Sequence, residues 1–162
     1  MKRFMLALLV SVSTLLGSNT NSLHKYRKFI LKAEATAAPQ ARKVMKTTRS
    51  MVQNRVVVRG ACWDYLNAAF TKAGYPQSKI SKIFKGSKRG PFASIDIIRA
   101  GDWLYFINHS FHNIEHSGMF INWINKARKQ ALILSYAGQN RSEPARYRVY
   151  DLSHVYYIMR AK

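Results

Sequence analysis

The chain has 162 residues, 48% hydrophobic and 12% aromatic, which suits one packed domain with an appendage and is too short for a multidomain enzyme with a separate cofactor domain. With 27 Lys+Arg against 7 Asp+Glu the formal net charge is +20, so the surface favours polyanions. Cys62 is the single cysteine, which excludes an intramolecular disulfide and a zinc site made mainly of cysteines.

Lys2 and Arg3 precede an apolar run over residues 4–16, and Gly17-Ser18-Asn19-Thr20 is small and polar. This order reads as a secretory signal over residues 1–20. The run is short for a membrane span, so no integral span is expected once the signal is removed. Export, periplasmic or extracellular, argues against a nucleic-acid partner.

Residues 21–58 read as a basic tether, in part helical. The first 60 residues carry 12 Lys and Arg and one acid, Glu34. Residues 33–39 are low in complexity and end in Pro39, which suits a linker, and residues 41–54 can form a short basic helix. A solvated tether and a docking helix both fit this composition.

From residue 59 to 162 the patterning of a folded domain takes over. Cys62, Tyr65, Leu66, Ala69, Phe70 and Ala73 recur at the spacing of one helix face, and Gly74 supplies a stop. Tyr75-Pro76 breaks the helix, residues 78–84 are expected as a short basic helix, and Gly86, Gly90 and Pro91 mark turns. Gly101-Asp102 is a further turn. Apolar, β-branched and aromatic runs at 103–107, 118–124, 131–136, 147–150 and 155–159 are expected as strands. Trp103, Tyr105, Phe120 and Trp123 are expected to line one face of them. A helix followed by consecutive strands predicts an α+β domain with an antiparallel sheet.

Cys62 falls in the first turn of the predicted helix, where backbone N–H groups favour a thiolate. An activated thiol also needs an imidazole brought near it by the fold. Of His24, His109, His112, His116 and His154, only His116 opens a strand and can be held rigidly. The rival reading is plain: a lone cysteine on an apolar helix face is commonly a small core residue. His109, His112 and His116 are too loosely spaced for a metal site, and nothing in the chain calls for a cofactor. Glu115, next to His116 on a strand, is expected to point to the opposite face.

Taken in order, these stretches resemble the NlpC-type papain-like cell-wall cysteine peptidases. The carriers are Cys62 with Phe70 and Ala73-Gly74, then Gly101-Asp102 before an apolar strand, then His116-Ser117-Gly118-Met119-Phe120-Ile121, then Ser135 before Tyr136-Ala137-Gly138, over about residues 59–162. The resemblance implies a papain-like fold with the cysteine-bearing helix packed on the sheet. It implies Cys62 as nucleophile, His116 as general base, Ser135 as the third catalytic residue and the Cys62 N–H as an oxyanion donor. It implies cleavage of amides in peptidoglycan stem peptides through a thioester, by a monomer whose partner is peptidoglycan or another anionic envelope polymer.

Two departures stand out. The family's third position is usually His, Asn or Gln, whereas Ser135 is short; Asn113 is the substitute candidate. Trp63-Asp64 follows the cysteine where the family has small polar residues, and Trp63 is expected to narrow the substrate groove. These departures motivate a rival reading as a catalytically silent wall- or polyanion-binding relative. A third reading is a membrane-active secreted protein working through residues 21–58.

Overall fold

The computed structural model describes residues 18–162. The region read as a signal lies outside the described residues up to position 17. Three helices precede the domain helix: α1 (Ser18–Lys25), α2 (Arg27–Thr36) and α3 (Pro39–Gln53). Pro39 sits at the start of α3, where its fixed φ suits a first helical turn and its missing N–H costs nothing. In α3 the buried residues Val44, Met45, Thr48, Met51 and Val52 fall on one face.

A solvated tether is therefore not what residues 27–53 form. Ile30 and Ala33 of α2 and the apolar face of α3 join the same core as the domain helix and the sheet. The tether reading gave weight to charge, but Lys28, Lys43 and Lys46 lie exposed while the apolar residues between them are buried. Glu34, the one acid of the first third, is buried, and its carboxylate accepts Nε–H and Nη2–H bonds from Arg49 at 2.7 and 3.1 Å. This bidentate pair joins α2 to α3.

The domain helix α4 (Cys62–Lys72) is followed by β1 (Ile80–Lys85), β2 (Trp103–Asn108), β3 (Ile114–Asn125), β4 (Gln130–Ser135), β5 (Arg146–Asp151) and β6 (Val155–Ala161). They form one sheet in the order β1-β6-β2-β3-β4-β5, and each neighbouring pair is antiparallel. The molecule is thus α+β with a six-stranded antiparallel sheet.

The short basic helix expected over residues 78–84 is replaced by a 3₁₀ turn at Gln77–Lys79 and by β1. Ile80, Ile83 and Phe84 have helical spacing, but β6 offers an open edge, and pairing from Ile80↔Ala161 to Lys85↔Tyr157 satisfies the backbone there instead.

The sheet has two apolar faces. Trp103, Met119, Ile121, Leu132, Leu134 and Tyr147 meet the helices, while Leu104, Phe106, Phe120, Ile133 and Tyr150 pack with Ala93, Ile98 and Leu152 on the other side. The four aromatics expected on one face are divided. Trp103 and Tyr105 belong to the helical side, Phe120 and Trp123 to the opposite one. Trp103 is registered with Met119 rather than Phe120, and β3 slips against β4 between Phe120 and Asn122, which turns Trp123 over.

The Gly101-Asp102 turn locks the helical layer onto the sheet. Gly101 has φ +85°, and a Cβ there would lie 2.6 Å from the Ala41 Cβ of α3, so glycine permits the approach. Asp102 is fully buried, paired with Arg160 at 2.6 and 2.8 Å, and accepts the Arg99 N–H at 2.8 Å. Among the described residues no helix is long and apolar enough to cross a membrane.

Replacing Arg49 with Met leaves the Glu34 carboxylate buried and unpaired. The unfolding free energy is expected to fall by about 3 kcal/mol, read from the midpoint of guanidinium denaturation. A detached tether would leave that midpoint unmoved.

Candidate active site

The N-terminus of α4 is strapped to the turn after β4. Gly60 N–H donates to Gln139 Oε1 at 2.7 Å, and Gln139 N–H donates to Gly60 O at 2.9 Å. Asp64 folds back so that its Oδ2 accepts the Ala61 N–H at 2.7 Å. Its charge is thus engaged at the start of the helix, where the backbone dipoles favour it. Gly60 has φ +109°, and a Cβ there would run into the Asp64 carboxylate. Cys62 is the first residue of α4 and is partly buried, and its own N–H has no partner within the helix.

His116 comes from β3. It is registered with Phe106 of β2, and its ring meets those of Phe106 and Tyr150 with centroids 5.6 and 5.7 Å away. Its Nε2 pairs with Ser135 Oγ at 2.8 Å, and Ser135 Oγ pairs in turn with Tyr150 OH at 2.9 Å. The structure thus joins His116 to Ser135, the residue that the family resemblance set beside it, and adds Tyr150. Nothing local to β5 marks Tyr150; the pairing of β4 with β5 brings its hydroxyl to Ser135.

The other candidates fall elsewhere. Asn113 is committed to His109, whose Nδ1 pairs with Asn113 Oδ1 at 2.9 Å while its Nε2 pairs with His154 Nδ1 at 2.7 Å. Glu115 takes the opposite face from His116, accepting from Tyr156 OH at 3.0 Å and lying 3.8 Å from Lys88 Nζ. Trp63 packs on Trp103 with centroids 5.8 Å apart and does not line the cavity that holds Cys62 and His116, so the expected narrowing of the groove is not seen. Among the described residues no three His, Cys, Asp or Glu side chains gather closely enough to hold a metal ion.

Cys62 and His116 belong to opposite faces of the sheet. α4 covers the face of Met119 and Ile121, whereas His116 shares the face of Phe106 and Tyr150. Both line one cavity beyond the end of β4. The last β4 residue, Ser135, pairs with Gly118, and β3 runs on to Ile114 without a β4 partner. A cavity of about 430 Å³ opens at this gap and is lined by Cys62, His116, Ser135 and Tyr150. Within it Cys62 makes no hydrogen bond to His116, and the His116 Nδ1 makes none to any described residue.

Burial, with smaller contributions from the positive charges of Arg148 and Arg146, pushes the His116 imidazole down to about 4. It is neutral at pH 7, and its unengaged Nδ1 belongs to a ring that lines the same cavity as the partly buried thiol. The Ser135–Tyr150 chain holds the ring, and its lowered pKa makes it a weak proton acceptor at pH 7. No family model, curated protein or solved structure matches the chain.

Two outcomes test this geometry. Gly60→Ala forces Asp64 off the Ala61 N–H and strains the backbone, and is expected to cost about 1–3 kcal/mol, measured by thermal or chemical unfolding. The second is a pH dependence. An unfolded His116 gains its proton near the usual value of about 6.5, but the folded one does so only near 4. Stability present above pH 6.5 is therefore lost as pH falls toward 4, by about 3 kcal/mol. Denaturation midpoints across that window should show the loss, and His116→Gln should reduce it.

Proposed function

We propose that the protein is an exported cysteine hydrolase of papain-like fold, resembling the NlpC-type peptidases, that cleaves amide bonds in peptidoglycan stem peptides. One observation carries this reading: the thiol at the start of α4 and the imidazole held by Ser135 open into the same cavity. The Cys62 sulfur attacks the amide carbon as its proton passes to His116 Nδ1. The resulting oxyanion is held by the N–H of Cys62. Collapse expels the amine, which takes the proton from His116 and leaves an acyl-thioester. Water, deprotonated by His116, then releases the acid and restores the thiol. Because Cys62 and His116 are not hydrogen-bonded, the ring has to close on the sulfur across the gap beyond β4, a tightening of the kind substrate binding brings about. Ser135 and Tyr150 are positioning residues for the ring. The excess of positive charge holds the monomer on an anionic wall, in the periplasm or outside the cell.

A second reading, a catalytically silent relative that binds wall polyanions, draws on the missing Cys62–His116 hydrogen bond and the acid-shifted imidazole. The membrane-active reading rests on the charge of residues 21–58, whose lysines stay exposed while the apolar faces of α2 and α3 are buried in the core.

The signal-free protein is expected to release new amino groups from muropeptides, and Cys62→Ser to lower the rate by about 10³-fold or more. Equal rates reject the hydrolase. The pH profile of Cys62 alkylation separates the two readings. Titration well below about 8.5 goes with the enzyme, and an ordinary profile goes with the silent binder.

A further inference from the structure

We propose that His109 and His154 form a binding site for a divalent late transition-metal ion of the Ni²⁺ or Cu²⁺ kind, with Asn113 fixing the first ring, and that the bound ion ties down one rim of the cavity that holds Cys62. The site stands apart from the hydrolase reading, whose chemistry uses neither histidine.

His109 lies in the turn between β2 and β3, and His154 in the turn between β5 and β6. Their ring centroids are 4.8 Å apart, and His109 Nε2 faces His154 Nδ1 at 2.7 Å. On its other side His109 Nδ1 is 2.9 Å from Asn113 Oδ1. An amide oxygen only accepts, so Nδ1 carries the hydrogen of a neutral His109 and Nε2 presents a lone pair. A carbonyl oxygen on the far nitrogen is also what orients a metal-binding imidazole and makes it more basic. His154 is held as well. Its ring stands nearly perpendicular to that of Phe92, with centroids 4.4 Å apart, and its carbonyl accepts the Ile107 N–H at 3.1 Å.

The donors select the ion. Imidazoles suit Zn²⁺, Ni²⁺ and Cu²⁺, whereas Ca²⁺ and Mg²⁺ take oxygen ligands. Two bonds of about 2.0 Å at right angles, as in tetragonal Ni²⁺ or Cu²⁺, need nitrogens about 2.8 Å apart. The two rings already stand close to that separation, so small rotations suffice, while tetrahedral Zn²⁺ needs a wider opening. The ion takes the place of the hydrogen shared between the rings. His154 carries that hydrogen on Nε2 instead, by exchange with solvent, and both facing nitrogens then offer lone pairs. Asp151, at the end of β5, is turned to the Ser153 N–H at 2.8 Å, and among the described residues no third His, Cys, Asp or Glu joins the pair. Water therefore fills the remaining positions at this exposed site. Ser110 and Phe111, in the same turn as His109, line the cavity of Cys62 and His116. An ion bonded to both rings fastens that turn to the one before β6.

The test uses the full signal-free chain carrying Cys62→Ser, which removes the thiol as a ligand, with nickel chloride as the probe. Calorimetry is expected to show Ni²⁺ affinity falling at least about tenfold in His109→Ala and in His154→Gln, and by about tenfold in Asn113→Ala. His24→Ala and His112→Ala should leave it unchanged. Glutamine at 154 can still hydrogen-bond to His109, so a loss there reports the ligand rather than the fold. Ni²⁺ should raise the melting temperature of the parent and not that of His154→Gln. With Cu²⁺, electron paramagnetic resonance should show hyperfine structure from two ring nitrogens in the parent and from one in His154→Gln. An affinity unmoved by His154→Gln overturns the site, as does an equal loss in His112→Ala. Absence of binding at millimolar Ni²⁺ also overturns it and leaves a shared hydrogen bond only.

Discussion

The two-residue repeat of β3 is the constraint on which the site depends. Because successive side chains of a strand point to opposite faces, Met119 and Ile121 bind the helical layer only if His116 and Gly118 turn away from it. The register with β2 runs without a slip from Trp103↔Met119 to Asn108↔Ile114, so the assignment of faces holds to the end of the strand. The imidazole is therefore placed by the same packing that stabilises the sheet, against Phe106 and Tyr150. The sulfur shares its cavity only because β4 stops at Ser135 and leaves the start of β3 uncovered on that side.

That placement decides the electrostatics. Burial against two aromatic rings and the nearness of Arg146 and Arg148 act in one direction, toward a neutral imidazole. Ser135, though short, reaches Nε2 because it stands on the strand adjacent to β3, and Tyr150 completes the chain. A side chain longer than serine is not needed where the neighbouring strand already brings the hydroxyl within 2.8 Å. Nδ1 remains the ring atom with a task still open, and the first N–H of α4 is the backbone donor nearest the thiol. Under the proposed mechanism these two groups and the sulfur do the chemistry, and everything else in the cavity orients them or the substrate.

Charge in this molecule is organised around few acids. Glu34 and Asp102 are both buried, each held bidentately by an arginine, and each joins two elements: α2 to α3, which follow one another in the chain, and the turn before β2 to the distant β6. Such pairs cost desolvation and contribute most clearly by fixing which elements meet, since either partner left alone would be a buried charge. The remaining positive charge is left to the surface and the cavity. Under the proposed function it would serve association with an anionic wall.

The amino-acid pattern alone determined the α+β class, the helix that begins at Cys62 and five of the six strands to within a few residues. These follow from period and turn chemistry, which are local. Tertiary structure decided what local pattern cannot hold. Residues 27–53 became part of the core because their apolar face found the sheet, whatever their surface charge. Residues 80–85 became a strand because β6 had an unpaired edge. Trp123 changed faces at a slip in register, Tyr150 joined Ser135 across β4 and β5, and Arg146 and Arg148 came to face the imidazole. Each of these outcomes depends on which strand lies beside which, and strand adjacency is a property of the closed sheet rather than of any single segment.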